Sequence, residues 1–227
     1  MSNNESFIDE VSEEVRKDKL FGYLRKYGWI AVLLVLALVG GTAYTEFQRS
    51  QTTQAAQATG DAILSALEIE DDAERAAALD AIEAEGATAA VTGLLAAANM
   101  VEAGDMAAAA SALEAVALNE EAPQIYRDLA ALRLVLVQRD TSSFDDRRAA
   151  LSGLAVPGAP FRLLAQEHLA YLSLEEGDTA AALEQFSAIA QSAEVTRGLR
   201  DRALGMIVAL DGDLEALFAT PADPAAN

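Results

Sequence analysis

An uncharged stretch of nineteen residues, from Tyr27 to Thr45, limits what this chain can form more than any other feature of its sequence. Its centre, from Trp29 to Val39, is almost wholly aliphatic. A helix of this length extends about 28 Å, close to the ~30 Å hydrocarbon core of a bilayer. Because the segment is apolar on every face, a helix buried in a soluble core is the weaker interpretation. The sequence therefore predicts a transmembrane helix over residues 27–46.

Aromatic side chains mark both ends of the predicted span, where rings of this kind lie at the membrane–water interface. They are Tyr27 and Trp29 at one end, and Tyr44 and Phe47 at the other.

Flanking cations predict the orientation of the span. Five basic residues precede it, whereas Arg49 is the one basic residue close behind it. By the positive-inside rule, residues 1–26 are expected in the cytoplasm and residues 47–227 across the membrane. A cleaved signal peptide is an alternative, since residues 41–43 (Gly-Thr-Ala) resemble a cleavage site. The charged leader and the apolar stretch are, however, both longer than is usual for signal peptides.

The segment before the span, residues 1–26, repeats apolar side chains at helical spacing, beginning with Phe7, Ile8 and Val11. The residues between them are largely charged, so the pattern predicts a short amphipathic helix. This stub either contacts a partner or simply orients the anchor.

Composition disfavours several classes of function. The formal net charge is −20 at pH 7, and residues 28–227 hold eleven basic and thirty acidic side chains. Such a charge repels the phosphates of nucleic acid. Cysteine is absent, which excludes disulfides, thiolate metal sites and a cysteine nucleophile.

Beyond the span, the pattern is helical throughout, because alanine and leucine dominate the apolar residues and strand-forming runs are scarce. The predicted helices cover residues 46–67, 72–85, 88–102, 106 to about 118, 122–138, 161–176, 179–191 and 195–210. Asp71 and Thr88 are expected to cap helices, and Gly86 to end one. The prediction is all-α, with juxtamembrane helices over 47–87, a repeat domain over 88–219 and a disordered tail over 220–227.

Two Gly-Asp pairs, at 104–105 and 177–178, have the same surroundings. In each pair, an alanine follows five residues after the glycine, and a large apolar residue follows nine residues after it. The Arg-Asp pair at 139–140 is interpreted as a degenerate middle copy. A spacing near 34 residues, with small residues where paired helices cross and a glycine at the turn, resembles tetratricopeptide repeats. A generic alanine-rich bundle is the alternative.

The sequence shows no recognisable catalytic or metal site. His168 is the single histidine, and neither a second histidine nor a cysteine exists to act with it. Carboxylate clusters such as Glu175, Glu176 and Asp178 are explained as solvated helix caps. No phosphate loop, G-x-S-x-G or H-E-x-x-H motif occurs. We expect a protein that is not an enzyme and has no cofactor.

A helical repeat presents a face for protein contacts, and its few large side chains are the candidates to line that face. These candidates are Tyr126, Phe144, Phe161, Tyr171 and Phe186. Core packing is the competing role for each, because aromatic residues make up only 6% of the chain.

The order of these features resembles one protein family. IDEVSEEVR at residues 8–16 precedes LRKYGW at residues 24–29, one apolar span and degenerate repeats. This arrangement resembles the YfgM-like ancillary subunits of the SecYEG translocon, in their alphaproteobacterial form, most clearly over residues 7–50 and 88–191. The resemblance implies a bacterial inner-membrane protein. Its periplasmic repeat domain would work as a scaffold or chaperone beside SecYEG, with the periplasmic chaperone PpiD, on newly exported polypeptides. An accessory or assembly subunit of another inner-membrane complex, respiratory or cytochrome-maturation, is the alternative.

Overall fold

The computed structural model describes residues 3–218, apart from the side chains of residues 3–24, 27, 28, 31, 32, 216 and 218. Over this range the chain is all-helical, as predicted, while the predicted tail at 220–227 lies outside it. In chain order the helices are α1 (Asn3–Leu67), α2 (Asp72–Asp80), α3 (Gly86–Glu102), α4 (Met106–Leu118), α5 (Gln124–Val137), α6 (Phe144–Leu154), α7 (Arg162–Glu175), α8 (Thr179–Gln191), α9 (Arg197–Ala209) and α10 (Leu214–Phe218).

The chain divides into two compact units, Met1–Ala58 and Thr59–Asn227. In the first unit, the described part is helix α1, and every side chain from residue 33 to residue 50 is exposed. Among the residues whose placement is described, no helix has a stretch long and apolar enough to cross a membrane. The side chains at positions 27, 28, 31 and 32 of the predicted span lie outside those that the structure describes.

Local signals predict many of the helix ends in the second unit. Helix α1 ends at Leu67 and α4 ends at Leu118, as expected. Helix α8 begins at Thr179 and ends at Gln191, which matches the prediction at both ends. Asp71 caps α2 by accepting a hydrogen bond from the amide of Glu74 at 2.9 Å.

The boundary between α2 and α3 differs from the prediction. Helix α2 ends at Asp80 rather than at residue 85, and Gly86 begins α3 instead of ending α2. Thr88 lies inside α3 and is not its cap. The reason is tertiary packing, because the non-helical segment after Asp80 allows Ile82 to pack on a core cluster of α1, α2 and α3.

Over the described residues of the second unit, the core consists of four clusters, each built by consecutive helices. Helices α1–α3, α3–α5, α5–α7 and α7–α9 contribute one cluster each. Helices α3, α5 and α7 therefore belong to two clusters, whereas α2, α4, α6 and α8 belong to one. This is the packing of stacked helix pairs, in which each pair buries its apolar face on the next. The predicted helical repeat is confirmed.

The two Gly-Asp pairs form the same turn. Gly104 and Gly177 have φ angles of 82° and 86°, and Asp105 and Asp178 both have φ −87° and ψ 76°. Each aspartate accepts a hydrogen bond from the amide three residues later at 2.9 Å. The left-handed conformation favours glycine, which has no Cβ to clash.

The middle copy departs from this turn, as its sequence suggests. Six residues separate Val137 from Phe144, and none of them has a positive φ. Ser143 caps α6 through the amide of Asp146. A further turn occurs at Asp211, 34 residues after Gly177, with φ 58°. The Gly-Asp pair at 212–213 directly follows this aspartate and marks the turn in the sequence, although here the left-handed residue is the aspartate and not the glycine.

Candidate protein-binding face

Two cavities open on the face of the repeat domain that α3, α5 and α7 form. The first, about 390 Å³, lies between α5, α6 and α7. The second, about 430 Å³, lies between α3, α4 and α5. Leu136 of α5 lines both cavities and is 44% exposed, so the two adjoin at an apolar side chain that is open to solvent.

The walls of the first cavity are mostly apolar. They come from Val135, Leu136, Leu151 and Leu172, with the ring of Tyr171 beside them. Of the five predicted binding residues, Tyr171 is thus the one that lines either of these two cavities. Its ring meets the ring of Phe186 edge-on, with 5.2 Å between centroids. Phe186 is fully buried in the α7–α9 cluster and holds Tyr171 in place.

The other three predicted aromatic residues lie beside the core or on the surface. Tyr126 packs on the α3–α5 cluster, and Phe161 packs on the α5–α7 cluster. Both are only partly exposed, which corresponds to the competing core role. Phe144 is 41% exposed, and the guanidinium of Arg147 lies 5.0 Å from the centre of its ring. Phe144 therefore lines neither of the two cavities, but it lies beside Arg147, which lines the first.

Two arginines and one glutamate form the charged end of the first cavity. Arg147 of α6 is 8% exposed, and its Nη2 donates to Oε2 of Glu175 at 2.7 Å. Nη2 of Arg139 lies 2.9 Å from Oε1 of the same carboxylate. The buried Nε of Arg147 has no acceptor among the described residues. Guanidinium groups therefore outnumber carboxylates here by two to one.

The sequence interpretation of these carboxylates was wrong in part. Asp178 is a helix cap, but Glu175 pairs with two arginines and Glu176 pairs with Arg148. The adjacent Arg147-Arg148 and Glu175-Glu176 pairs were a signal for this contact between α6 and α7. Recognising it required knowing that the two helices pack together.

His168, the single histidine, lies on the wall of the first cavity. Burial lowers its pKa, the neighbouring carboxylate of Glu167 raises it, and Arg202 lowers it. Since the ordinary value is 6.5, the imidazole is neutral at pH 7 and offers one donor and one acceptor. Burial also raises the pKa of Tyr171, which keeps its hydroxyl protonated. Across the described residues, no group of three or more side chains is arranged to hold a metal ion.

Comparison with known proteins identifies the repeat. Residues 22–162, well over half of the 227, match the family model of the tetratricopeptide repeat-like domain. The chain belongs to this family. No curated protein and no solved structure matches it. The tetratricopeptide repeat-like match includes α3, α4, α5 and α6, and ends at the first residue of α7. Helices α8 and α9 continue the same stacking beyond it, so the face lined by α3, α5 and α7 belongs to a helical scaffold for protein contacts.

Proposed function

We propose that this protein is a membrane-anchored scaffold that binds polypeptides on the face lined by α3, α5 and α7. The observation that carries this proposal is the pair of adjoining cavities joined at Leu136, within a tetratricopeptide repeat-like domain. A half-exposed leucine between two largely apolar cavities is unfavourable in water and favourable beneath a partner. The role requires neither a catalytic step nor a cofactor.

The first unit supports the anchor. Trp29, Tyr44 and Phe47 are 62–64% exposed, and many of the side chains between them are aliphatic and equally exposed. An exposed apolar surface of this extent is typical of a segment that a bilayer or a partner covers. With the cations of residues 16–26 inside, the repeat domain lies outside the cytoplasm in this proposal.

The site of action in the proposal is the SecYEG translocon of the bacterial inner membrane. The resemblance of residues 7–50 to YfgM-like subunits supports it, as does the family of the repeat. In this role, the repeat domain receives exported polypeptides together with a PpiD-like chaperone. The anchor keeps the repeat domain close to the point where those polypeptides emerge.

Membrane insertion is testable with two matched pairs of substitutions in α1. The double variant Leu34→Arg, Leu36→Arg places two charges in the proposed span, at a cost of about 3 kcal/mol each. The control Gln51→Arg, Gln54→Arg places the same charges at exposed positions of the same helix. After a carbonate wash of isolated membranes, the wild type and the control are expected in the pellet, and the leucine variant in the supernatant. Release of the wild type would refute the anchor.

Orientation is testable because all the lysines of the chain occur at or before Lys26. A membrane-impermeant amine reagent is expected to label the protein in inverted vesicles and to leave it unlabelled in spheroplasts. The opposite result would place the repeat domain in the cytoplasm.

Affinity purification of the full chain in mild detergent tests the partner. Translocon subunits are the expected result. Recovery of an oxidase or a cytochrome-maturation complex without them would reject the translocon and support the alternative. Deletion of residues 1–26 then tests the stub, since unchanged partners would leave it without a contact.

A further inference from the structure

The charged end of the first cavity has an unbalanced positive charge. Among the described residues, Glu175 is the one carboxylate that pairs with Arg139 and the one that pairs with Arg147. One guanidinium charge is therefore uncompensated, in a chain whose net charge is −20. Arg147 is nine-tenths buried, so its position is fixed by the fold rather than by solvent. A ligand that adds one negative charge beside Arg139 would complete this arrangement.

The neighbouring walls select an apolar group next to that charge. Val135, Leu151 and Leu172 are buried, and Leu136 is half-exposed, so a cavity of about 390 Å³ presents aliphatic surface within the same enclosure as the arginines. A phosphate group carries close to two negative charges and has no apolar part, so it fits this enclosure poorly. A single carboxylate next to a large apolar side chain fits both parts.

The second cavity indicates that the ligand is extended. It adjoins the first at Leu136, and Arg133 lines it. Glu102 also lines it, but pairs with Arg75 at 3.6 Å. A ligand that crosses Leu136 therefore follows the last turns of α5 from one cavity to the other. An extended polypeptide has this form, and the repeat domain already belongs to a family of protein scaffolds.

We propose that the first cavity binds an extended peptide segment in which an aspartate or glutamate side chain pairs with Arg139 and Arg147, and an adjacent large apolar side chain lies against Leu136. The inference rests on the proposed function and specifies the sequence that the scaffold selects. The side-chain carboxylate is the recognised group, so the segment can lie anywhere in the bound polypeptide.

The experiment uses the full chain in detergent micelles and short fluorescent peptides with blocked termini. One peptide carries Glu-Leu-Phe in a Gly-Ser background, and its partner carries Gln-Leu-Phe. A third peptide, Gln-Leu-Phe with a free terminal carboxylate, tests whether a carboxylate at the chain end can replace the side-chain carboxylate of Glu. Fluorescence anisotropy is expected to show the Glu peptide bound about fivefold more tightly than both Gln peptides, the ratio for one partly exposed charge pair.

Variants of the face test the assignment. Arg139→Gln is expected to remove the preference for Glu, because Arg139 provides the proposed charge pair. The Arg139 side chain is 63% exposed, so its replacement leaves the core intact. Leu136→Ala is expected to weaken the binding of the Glu peptide and of the Gln peptides by a similar factor. Arg197→Gln, at a side chain that is 96% exposed on α9, and Leu118→Ala, 73% exposed on α4, are the matched controls. Circular dichroism confirms that each variant is folded.

Several results would overturn the inference: equal binding of the Glu and Gln peptides, tighter binding of the free-carboxylate peptide, or the same loss in Arg197→Gln as in Arg139→Gln. Each of these would leave the translocon pull-down unaffected, so failure of the inference is distinguishable from failure of the proposed function.

Discussion

Arg202 of α9 holds the buried carboxylate of Glu167 on α7 with two parallel hydrogen bonds. Nε donates to Oε1 and Nη2 donates to Oε2, both at 2.7 Å. Glu167 is only 3% exposed, whereas about half of the Arg202 side chain is open to solvent. The pair joins two helices whose apolar residues share the α7–α9 cluster. A bidentate geometry of this kind fixes the orientation of both side chains.

Arg202→Leu is expected to lower the free energy of unfolding by about 1–3 kcal/mol, because it leaves a buried carboxylate without its donors. Arg197→Leu, on the same helix but 96% exposed, is the control, with an effect below about 0.5 kcal/mol. Thermal unfolding followed by circular dichroism measures both. The double variant Glu167→Leu, Arg202→Leu is expected to recover most of the loss, since both polar groups are then removed together. Equal effects of Arg202→Leu and Arg197→Leu would contradict the role of the pair.

The pKa of His168 is expected below its ordinary value of 6.5, with burial as the main cause. Because Arg202 lowers this pKa and Glu167 raises it, Arg202→Leu is expected to increase it and Glu167→Gln to decrease it. His168 is the single histidine of the chain, so its imidazole signal in an NMR pH titration needs no assignment. A wild-type value at or above 6.5 would contradict the buried placement of the ring.

Stability is expected to depend on pH through the same residue. In the unfolded chain His168 binds a proton near pH 6.5, whereas in the folded chain its pKa is lower and protonation requires a lower pH. The free energy of unfolding therefore falls as the pH decreases through 6.5 toward the folded-state pKa, and is unaffected by this group at higher pH. His168→Gln is expected to flatten the change in melting temperature between pH 7.5 and pH 5.5. The carboxylates contribute equally to both proteins, so a difference between the two slopes isolates the histidine.

Local chemistry explains how much of the fold was predictable. The Gly-Asp turns at 104–105 and 177–178 gave the helix ends around them, because a left-handed glycine and a capping aspartate act within a few residues. The turn at Asp211 was not predicted, although the Gly-Asp pair at 212–213 directly follows it; its left-handed residue is the aspartate and not the glycine. The end of α2 was wrong because packing of Ile82 decides it, and packing does not follow from a local pattern.

The candidate site was less predictable than the fold. Tyr171 was selected because large side chains are rare in this chain, and it lines the first cavity, yet the same argument selected Phe186, which is fully buried. Arg147 and Glu175 were missed because they are 28 residues apart in sequence and meet only when α6 packs on α7. Their pairing is a consequence of the stacking of helix pairs, and no local pattern records it.

Gly177→Ala is expected to destabilise the repeat domain by about 1–2 kcal/mol, because its φ of 86° places a Cβ against the backbone. Gly104→Ala is expected to cost the same, since the two turns have the same geometry. Gly205→Ala is the control, at an exposed position inside α9 where a Cβ meets nothing within 4 Å. It is expected to stabilise by about 0.5–1 kcal/mol, the difference in helix propensity. Chemical denaturation distinguishes the expected decrease in the free energy of unfolding from the expected increase. A decrease for Gly205→Ala would contradict the explanation.

Gly93 requires a different argument, because it lies inside α3 and any larger residue there meets α4. A Cβ at Gly93 would stand 2.6 Å from Cγ2 of Val116, a buried side chain with restricted rotamers. Gly93→Ala is therefore expected to destabilise by about 1–3 kcal/mol through overpacking, despite the higher helix propensity of alanine. Val116→Ala removes the obstructing methyl groups, so the double variant is expected to be more stable than the sum of the single effects allows. Denaturant unfolding of the four proteins measures this coupling. Strict additivity would contradict the explanation by the close approach of α3 and α4.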